Sequence, residues 1–283
     1  MITVQEALSR GTQAISQCKI SATPLLDASL LLCKSTGLKR EELYIRSRNT
    51  ISPEVYEAYH SLIERRCDAE PVAYLLGERE FFGRSFKVSP AVLVPRGDSE
   101  TLVEAALERL PLNTQAKVLD LCCGSGCIGI TLAKERELVN LTLSDISTEA
   151  LEVASENNRA LLDGRARLFE GNLFDPLEGE KFSLIVSNPP YLTDSWYNEC
   201  SAEVKREPSL ALLGGAEDGL SLIREIIREA PRFLEDGGSL LIECDWRQQP
   251  VVLNLLEERG FKELASYTDL ASLWRVVGGT YRV

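Results

Sequence analysis

The sequence predicts an α/β protein in which a mostly parallel sheet carries helices on both faces and a small helical bundle precedes it. Three observations lead there. From about residue 98 onward, short apolar runs of strand character alternate with helical patterns, the rhythm of βαβ units. Two of those runs, Ala116–Leu121 and Asn140–Leu143, meet an acidic residue at or just beyond their ends, Asp120 and Asp145. The first 75 residues carry helix punctuation and no strand alternation.

In residues 1–75, Thr3 stands three before Glu6, the spacing of a capping box. Thr23-Pro24 reads as an N-cap with proline at the first helical position, and Leu25, Leu26, Leu30 and Cys33 supply an apolar stripe that Gly37 stops. Ser52-Pro53 repeats the signal ahead of Val55, Tyr59 and Leu62. This segment holds no catalytic constellation, so a structural or partner-binding role is expected. Residues 76–97 read as a β-hairpin linker, because Phe81, Phe82, Phe86, Val88 and Val92–Val94 alternate with Gly83, Ser89-Pro90 and polar residues. Residues 98–283 form the α/β domain. Its helices are expected at Cys127–Arg136, from Ser147 to Leu162, and along the Leu220, Ile223, Ile226, Ile227, Ala230, Leu234 face. Further strands are expected at Ala166–Glu170, Phe182–Ser187 and Ser239–Glu243.

Composition excludes several classes. The chain has 283 residues and a formal charge of −12; residues 1–95 carry 12 Lys and Arg against 11 Asp and Glu (+1), and the remainder 19 against 32 (−13). Grip on nucleic acid through phosphates calls for a basic face, so stable nucleic-acid binding is not expected. No apolar run approaches the roughly 18 residues of a membrane span, and the start lacks a signal-peptide pattern. A cytoplasmic monomer is expected. Eight cysteines in a chain this long are sparse for a disulfide scaffold, and with a single histidine, His60, far from the Cys122-Cys123…Cys127 cluster, no metal site is expected.

Three motifs carry chemistry. In Val118-Leu119-Asp120-Leu121-Cys122-Cys123-Gly124-Ser125-Gly126-Cys127 a strand runs into a turn of small residues and then a helix. Gly124 and Gly126 let backbone approach a ligand closely, with Asp120 and Cys122 beside them. A cofactor site, another kind of nucleotide site, or a plain tight turn all fit this motif alone. Asp145, about 20 residues on, can accept both hydroxyls of a ribose, or act only with Ser147 at a helix start. The third is Ser187-Asn188-Pro189-Pro190-Tyr191 after a strand. The prolines preset the backbone. An amide NH2 has two donors, which the Asn188 side-chain oxygen and the Pro189 carbonyl can receive in one plane, and Tyr191 offers an aromatic wall.

These residues resemble the Asn-Pro-Pro-Tyr methyltransferases, and within them the peptide-chain-release-factor glutamine methyltransferases. Glu70-Pro71-Val72-Ala73-Tyr74-Leu75-Leu76-Gly77 through Gly83, Val88–Arg96, and Glu207-Pro208-Ser209-Leu210-Ala211-Leu212 with Gly214–Leu220 are similar to that family in the same order, so the resemblance spans nearly the whole chain. It implies a seven-stranded class I methyltransferase (Rossmann-like) domain, S-adenosyl-L-methionine as cofactor, and release factors as protein substrates at the glutamine of a Gly-Gly-Gln loop. It places cofactor contacts at Asp120, Cys122, Gly124, Gly126, Asp145, Asn172 and Asn188, catalysis at Asn188, Pro189 and Tyr191, and substrate contacts at Asn188, Pro189, Pro190 and Tyr191. The chain departs from the family's pattern at Cys122, where glycine is common and an altered turn is expected; at Gly97 of Arg96-Gly97-Asp98; at Asn172, where relatives often carry Asp; and in Asp269–Arg275, which lacks a usual glycine. An exocyclic adenine amine in nucleic acid, a ribosomal-protein glutamine, and a release-factor-binding protein without catalysis stand as alternatives.

Overall fold

The computed structural model describes residues 2–282. Two compact units emerge. Residues 1–78 together with 200–206 form one, and residues 79–199 with 207–283 the other.

The first unit is a helical bundle. Its helices are α1 (Val4–Cys18), α2 (Pro24–Thr36), α3 (Arg40–Ile45), α4 (Pro53–Cys67) and α5 (Val72–Leu76), and a two-residue bridge pairs β1 (Ile2–Thr3) with β2 (Thr50–Ile51). The expected capping box is present: Thr3 Oγ1 accepts from Glu6 N at 3.2 Å and Glu6 returns a carboxylate to Thr3 N at 2.8 Å. Ser52 Oγ caps α4 through Val55 N, and Gly37 closes α2 at φ 71°. Thr23 does not cap. Its hydroxyl takes no backbone N–H of α2, and the helix starts instead on the preset φ of Pro24. Val4, Ala7, Ile15, Ala28, Leu31, Leu32, Leu43, Tyr59 and Ile63 make the core. A buried guanidinium lies within this interior: Arg66 donates to Asp27 at 2.8 Å, to the Glu70 carbonyl at 3.0 Å and to Glu203 at 2.9 Å.

The second unit opens on a short hairpin, β3 (Glu78–Phe81) and β4 (Arg84–Lys87). Phe82 and Gly83 turn it, both at positive φ (50° and 70°), as a right-twisted two-residue hairpin requires. The hairpin is shorter than the 76–97 segment expected to form it. Beyond Lys87 the prolines at 90 and 95 leave an irregular stretch instead of a strand.

Next come α6 (Glu100–Arg109), β5 (Ala116–Leu121), α7 (Cys127–Glu135), β6 (Val139–Asp145), α8 (Thr148–Leu162), β7 (Arg167–Glu170), β8 (Phe182–Ser187), α9 (Asp194–Glu199), α10 (Ser221–Glu229), β9 (Leu234–Glu243), α11 (Gln249–Glu258), β10 (Lys262–Thr268) and β11 (Trp274–Thr280). The seven strands order as β10-β11-β9-β8-β5-β6-β7. Those from β9 to β7 are parallel, and the C-terminal pair is antiparallel. One core packs α6, α7 and α8 on one face of this sheet; another packs α10 and α11 on the other. The strand order reverses between β5 and β8, where Leu121 stands opposite Ser187. At such a switch point the connections leave in opposite directions and a crevice opens beyond the strand ends. Among the described residues no helix is long and apolar enough to cross a membrane.

Candidate active site

A cavity opens at this switch point. Its wall is built from the loops that follow β5, β6, β7 and β8, from the stretch 91–96, and from residues 208–211. Of the residues singled out by sequence, Cys122, Gly124, Asp145, Asn172, Asn188 and Pro190 line it.

The glycine turn is shaped by its φ angles. Cys122, Gly124 and Gly126 lie at 59°, 52° and 75°. A Cβ on Gly126 would meet Ile130 Cδ1 at 3.0 Å and Leu143 Cδ1 at 3.3 Å, so this glycine serves packing between turn, helix and sheet. Gly124 has open space where its Cβ would stand and faces the cavity, the condition for a ligand to reach the backbone. Cys122 corrects the expectation of an altered turn: it accepts the left-handed conformation itself. That conformation costs an L-residue about 1–2 kcal/mol, which a glycine avoids. Cys122→Gly is therefore expected to change S-adenosylmethionine affinity by no more than about thirtyfold, since only backbone preference of this size is altered; isothermal titration checks it.

Asp145 ties the turn to the next strand. One carboxylate oxygen accepts from Gly124 N at 2.8 Å, the other from Ser147 N at 3.0 Å. Burial pushes its carboxyl up, and the backbone donors of Ser147 and Gly124 oppose that shift. Each oxygen keeps a further lone pair for a hydroxyl on the cavity side. The ribose and helix-start readings of Asp145 are thus compatible.

Asp120 is different. Its side chain is fully buried, does not reach the cavity wall, and accepts from Gly129 N at 2.8 Å. Desolvation raises its carboxyl to about 8. The expected cofactor contact is corrected: Asp120 fastens the first turn of α7 to β5.

Asn188 follows β8 directly and looks into the cavity. Its Nδ2 donates to Ser99 Oγ at 3.2 Å. Pro189 and Pro190 are both buried; Pro190 lines the cavity and Pro189 does not. Tyr191 is also corrected as an aromatic wall of the pocket. The ring is absent from the cavity wall and packs, partly buried, against the core that holds α10 and α11, and burial, with the nearby charge of Glu243 adding to it, raises its ionisation out of reach. Its backbone is gripped from below: Gln248 Nε2 donates to the Tyr191 carbonyl at 2.9 Å and to the Asp218 carbonyl at 2.8 Å, while Leu192 and Leu212–Gly214 exchange backbone bonds. The Gly214–Leu220 stretch therefore braces the Asn-Pro-Pro-Tyr turn.

The wall suits an adenosine-bearing sulfonium better than a pyrophosphate. Arg96 is its one basic side chain among the described residues, and Arg96 is already paired with the buried Glu207, which also accepts from Val94 N at 2.9 Å. Ile128, Ile146, Ala150 and Leu173 add apolar surface, and Asp145 supplies the carboxylate. Three residues of this region were not singled out from sequence, Ser99, Glu243 and Gln248, and Glu207 was read only as part of the family-like Glu207–Leu212 stretch, with no site role. Glu243 carried a readable signal, an acidic residue closing the apolar run Leu240-Leu241-Ile242, as Asp145 closes its own strand.

Residues 98–203 match the methyltransferase small domain family, and residues 6–77 the PrmC N-terminal domain family. The release factor glutamine methyltransferase of Vibrio cholerae is 39% identical, with 99% of this chain and 98% of that protein covered. The chain belongs to the release factor glutamine methyltransferases. The Neisseria gonorrhoeae member is 41% identical over 93% of this chain and 95% of its own length. Among solved structures, the hMettl16 catalytic domain in complex with the MAT2A 3′UTR hairpin 6 superposes with a TM-score of 0.57 at 13% identity, covering 72% of this chain and 78% of that one. A methyltransferase from Pyrococcus furiosus gives 0.53 at 15% identity, covering 72% and 91%. These structural likenesses share the fold of the family's catalytic domain.

Proposed function

We propose that this chain transfers the methyl group of S-adenosylmethionine to the side-chain amide nitrogen of the glutamine in the Gly-Gly-Gln loop of peptide chain release factors. The observation that carries the proposal is that Asn188 and the glycine turn wall one cavity at the switch point of the sheet. The name shared by full-length relatives supports the substrate. We assign the protein to the cytoplasm, acting as a monomer and without stable nucleic-acid binding.

S-adenosylmethionine supplies a methyl group made electrophilic by its sulfonium. The chain's own residues then have to deal with a poor nucleophile, since the lone pair of an amide nitrogen is delocalised into its carbonyl. Asn188 Oδ1 and the Pro189 carbonyl accept the two N–H groups of the glutamine and favour positive charge building on nitrogen as the methyl–sulfur bond gives way to the methyl–nitrogen bond; one of those two protons then leaves to water, giving the neutral N-methyl amide beside a neutral thioether. Asp145 and the Gly124 backbone hold the cofactor end. Fixing both partners supplies much of the remaining acceleration, because well-oriented pairs reach effective molarities of about 10⁵ M. No histidine takes part; His60, the only one, lies in α4.

The test incubates the protein with methyl-labelled S-adenosylmethionine, purified release factors, ribosomal proteins and bulk nucleic acid, and maps the label by mass. Label on the release-factor glutamine is expected. Label on adenine or on a ribosomal protein alone would overturn the substrate assignment.

A further inference from the structure

We propose that Glu243, acting with Ser99, sets which end of the Asn188 amide faces the cavity and is a positioning residue for methyl transfer; this rests on the role of Asn188 proposed above. Three elements converge here. Asn188 follows β8, Glu243 ends β9, and Ser99 ends the short helical turn Gly97–Ser99. Because Ser187 pairs with Ile242 in parallel register, the next residues on the two strands, Asn188 and Glu243, are carried to the same level of the sheet. Ser99 and Glu243 are both buried, at 3% and 2% exposure. Asn188 Nδ2 lies 3.2 Å from Ser99 Oγ; the Glu243 carboxylate neighbours both side chains, which hold its carboxyl down against burial, and its Oε2 is buried with no hydrogen-bond partner, leaving an acceptor site aimed into the cluster.

The two ends of an asparagine amide have nearly the same shape, so only donors and acceptors decide its orientation. A carboxylate only accepts. An ionised Glu243 commits the Ser99 hydroxyl hydrogen to itself and leaves the Ser99 oxygen to accept from Nδ2. It also attracts Nδ2 directly. Both demands turn the NH2 end inward and leave Oδ1 for the cavity, the end that can receive a substrate N–H. The reversed amide would set Oδ1 against a carboxylate inside and offer the substrate a second donor.

A protonated Glu243 removes this discrimination, since a carboxylic acid can donate to Oδ1. Burial raises its carboxyl to about 7, with Ser99, Arg275 and Asn188 opposing and Asp98 adding to the shift. Tyr191, after β8, and Cys244 and Asp245, the next residues on the chain, also face this cluster. The charged form favours turnover and carries the desolvation cost. A carboxyl whose folded value is raised contributes stability below its unfolded value and loses it as pH rises through the folded one. Turnover should therefore rise through about pH 7 while this group's contribution to stability falls.

The experiment compares wild type, Glu243→Gln, Ser99→Ala and Asn188→Ala on a release factor from about pH 6 to about pH 9, with melting temperatures. In Glu243→Gln, kcat is expected to fall about 10- to 100-fold, the value of one charge-assisted hydrogen bond. KM for S-adenosylmethionine should stay unchanged, the acid limb near pH 7 should vanish, and melting at the alkaline end should be no lower than in wild type. A purely structural role would lower melting and keep the limb. Wild-type kcat with the limb intact overturns the proposal. Should Glu243→Gln not fold, Ser99→Ala decides: a loss of about fivefold or more supports the chain of bonds, and full activity overturns it. An active Asn188→Ala instead sinks the proposed function itself; an inactive one beside a normal Glu243→Gln sinks only the present inference.

Discussion

Asn188→Ala is expected to lower kcat by about a thousandfold or more while S-adenosylmethionine still binds within about threefold of wild type. The asymmetry follows from where Asn188 sits. The glycine turn, Asp145 and the apolar wall that would hold the cofactor come from other loops, so the substitution leaves them in place. What it removes is an acceptor matched to the N–H of a reacting amide, an interaction that strengthens as nitrogen becomes cationic. Loss of one such group costs about 10²–10³ in kcat in other preorganised sites. A poor nucleophile that depends on two acceptors should stand at the upper end. Single-turnover kinetics with a release factor, beside calorimetric titration of the cofactor, checks both halves. Near-normal methylation by this variant would mean that another group handles the amide.

The second large effect lies under the same turn. Gly219→Ala is expected to destabilise the protein by about 2–5 kcal/mol, combining overpacking with a left-handed backbone penalty. The residue lies at φ 72°, and a Cβ there would stand 2.2 Å from the Tyr191 carbonyl oxygen and 3.0 Å from Gln248 Nε2. Both belong to the grip that holds the Asn-Pro-Pro-Tyr turn, so neither can yield freely. A shift of about 1 Å at a reacting group can cost about a hundredfold in rate, and kcat should fall by that order even below the melting transition. Urea unfolding followed by circular dichroism gives the first number, and methylation well below the midpoint gives the second. Wild-type values for both would show that Tyr191 moves without consequence.

Most of the catalytic unit was legible because its signals are local. Ala116–Leu121 and Phe182–Ser187 are apolar runs closed by small or acidic residues, and each forms a strand with those bounds. The C-terminal strands were not read. Trp274–Thr280 contains Gly278 and Gly279, which depress strand character; their reason is tertiary, since a Cβ on Gly278 would stand 2.3 Å from Leu241 Cδ2 in the neighbouring strand. The site divides in the same way. Gly124, Asp145 and Asn188 stand at strand ends that pattern alone can locate, and they share a wall. Asp120 and Tyr191 carry the right residue types but point away from it. Which side of a strand end a side chain takes depends on register and on packing beneath the sheet, and one sequence does not encode that locally. Ser99 and Gln248 left no local trace because their partners lie 89 and 57 residues away.

The excursion of residues 200–206 into the helical bundle bears on how this protein can be taken apart. Glu203 supplies a carboxylate to Arg66, and Arg206 pairs with Asp68. A fragment ending at residue 78 would therefore keep a buried guanidinium with one of its anions deleted, and the complementary fragment would carry that heptapeptide with nothing to fold onto. Limited proteolysis near residue 78 should accordingly yield two pieces that copurify, whereas independent expression of the amino-terminal piece should give a product of lowered melting temperature, restored by supplying the seven residues on a short tether.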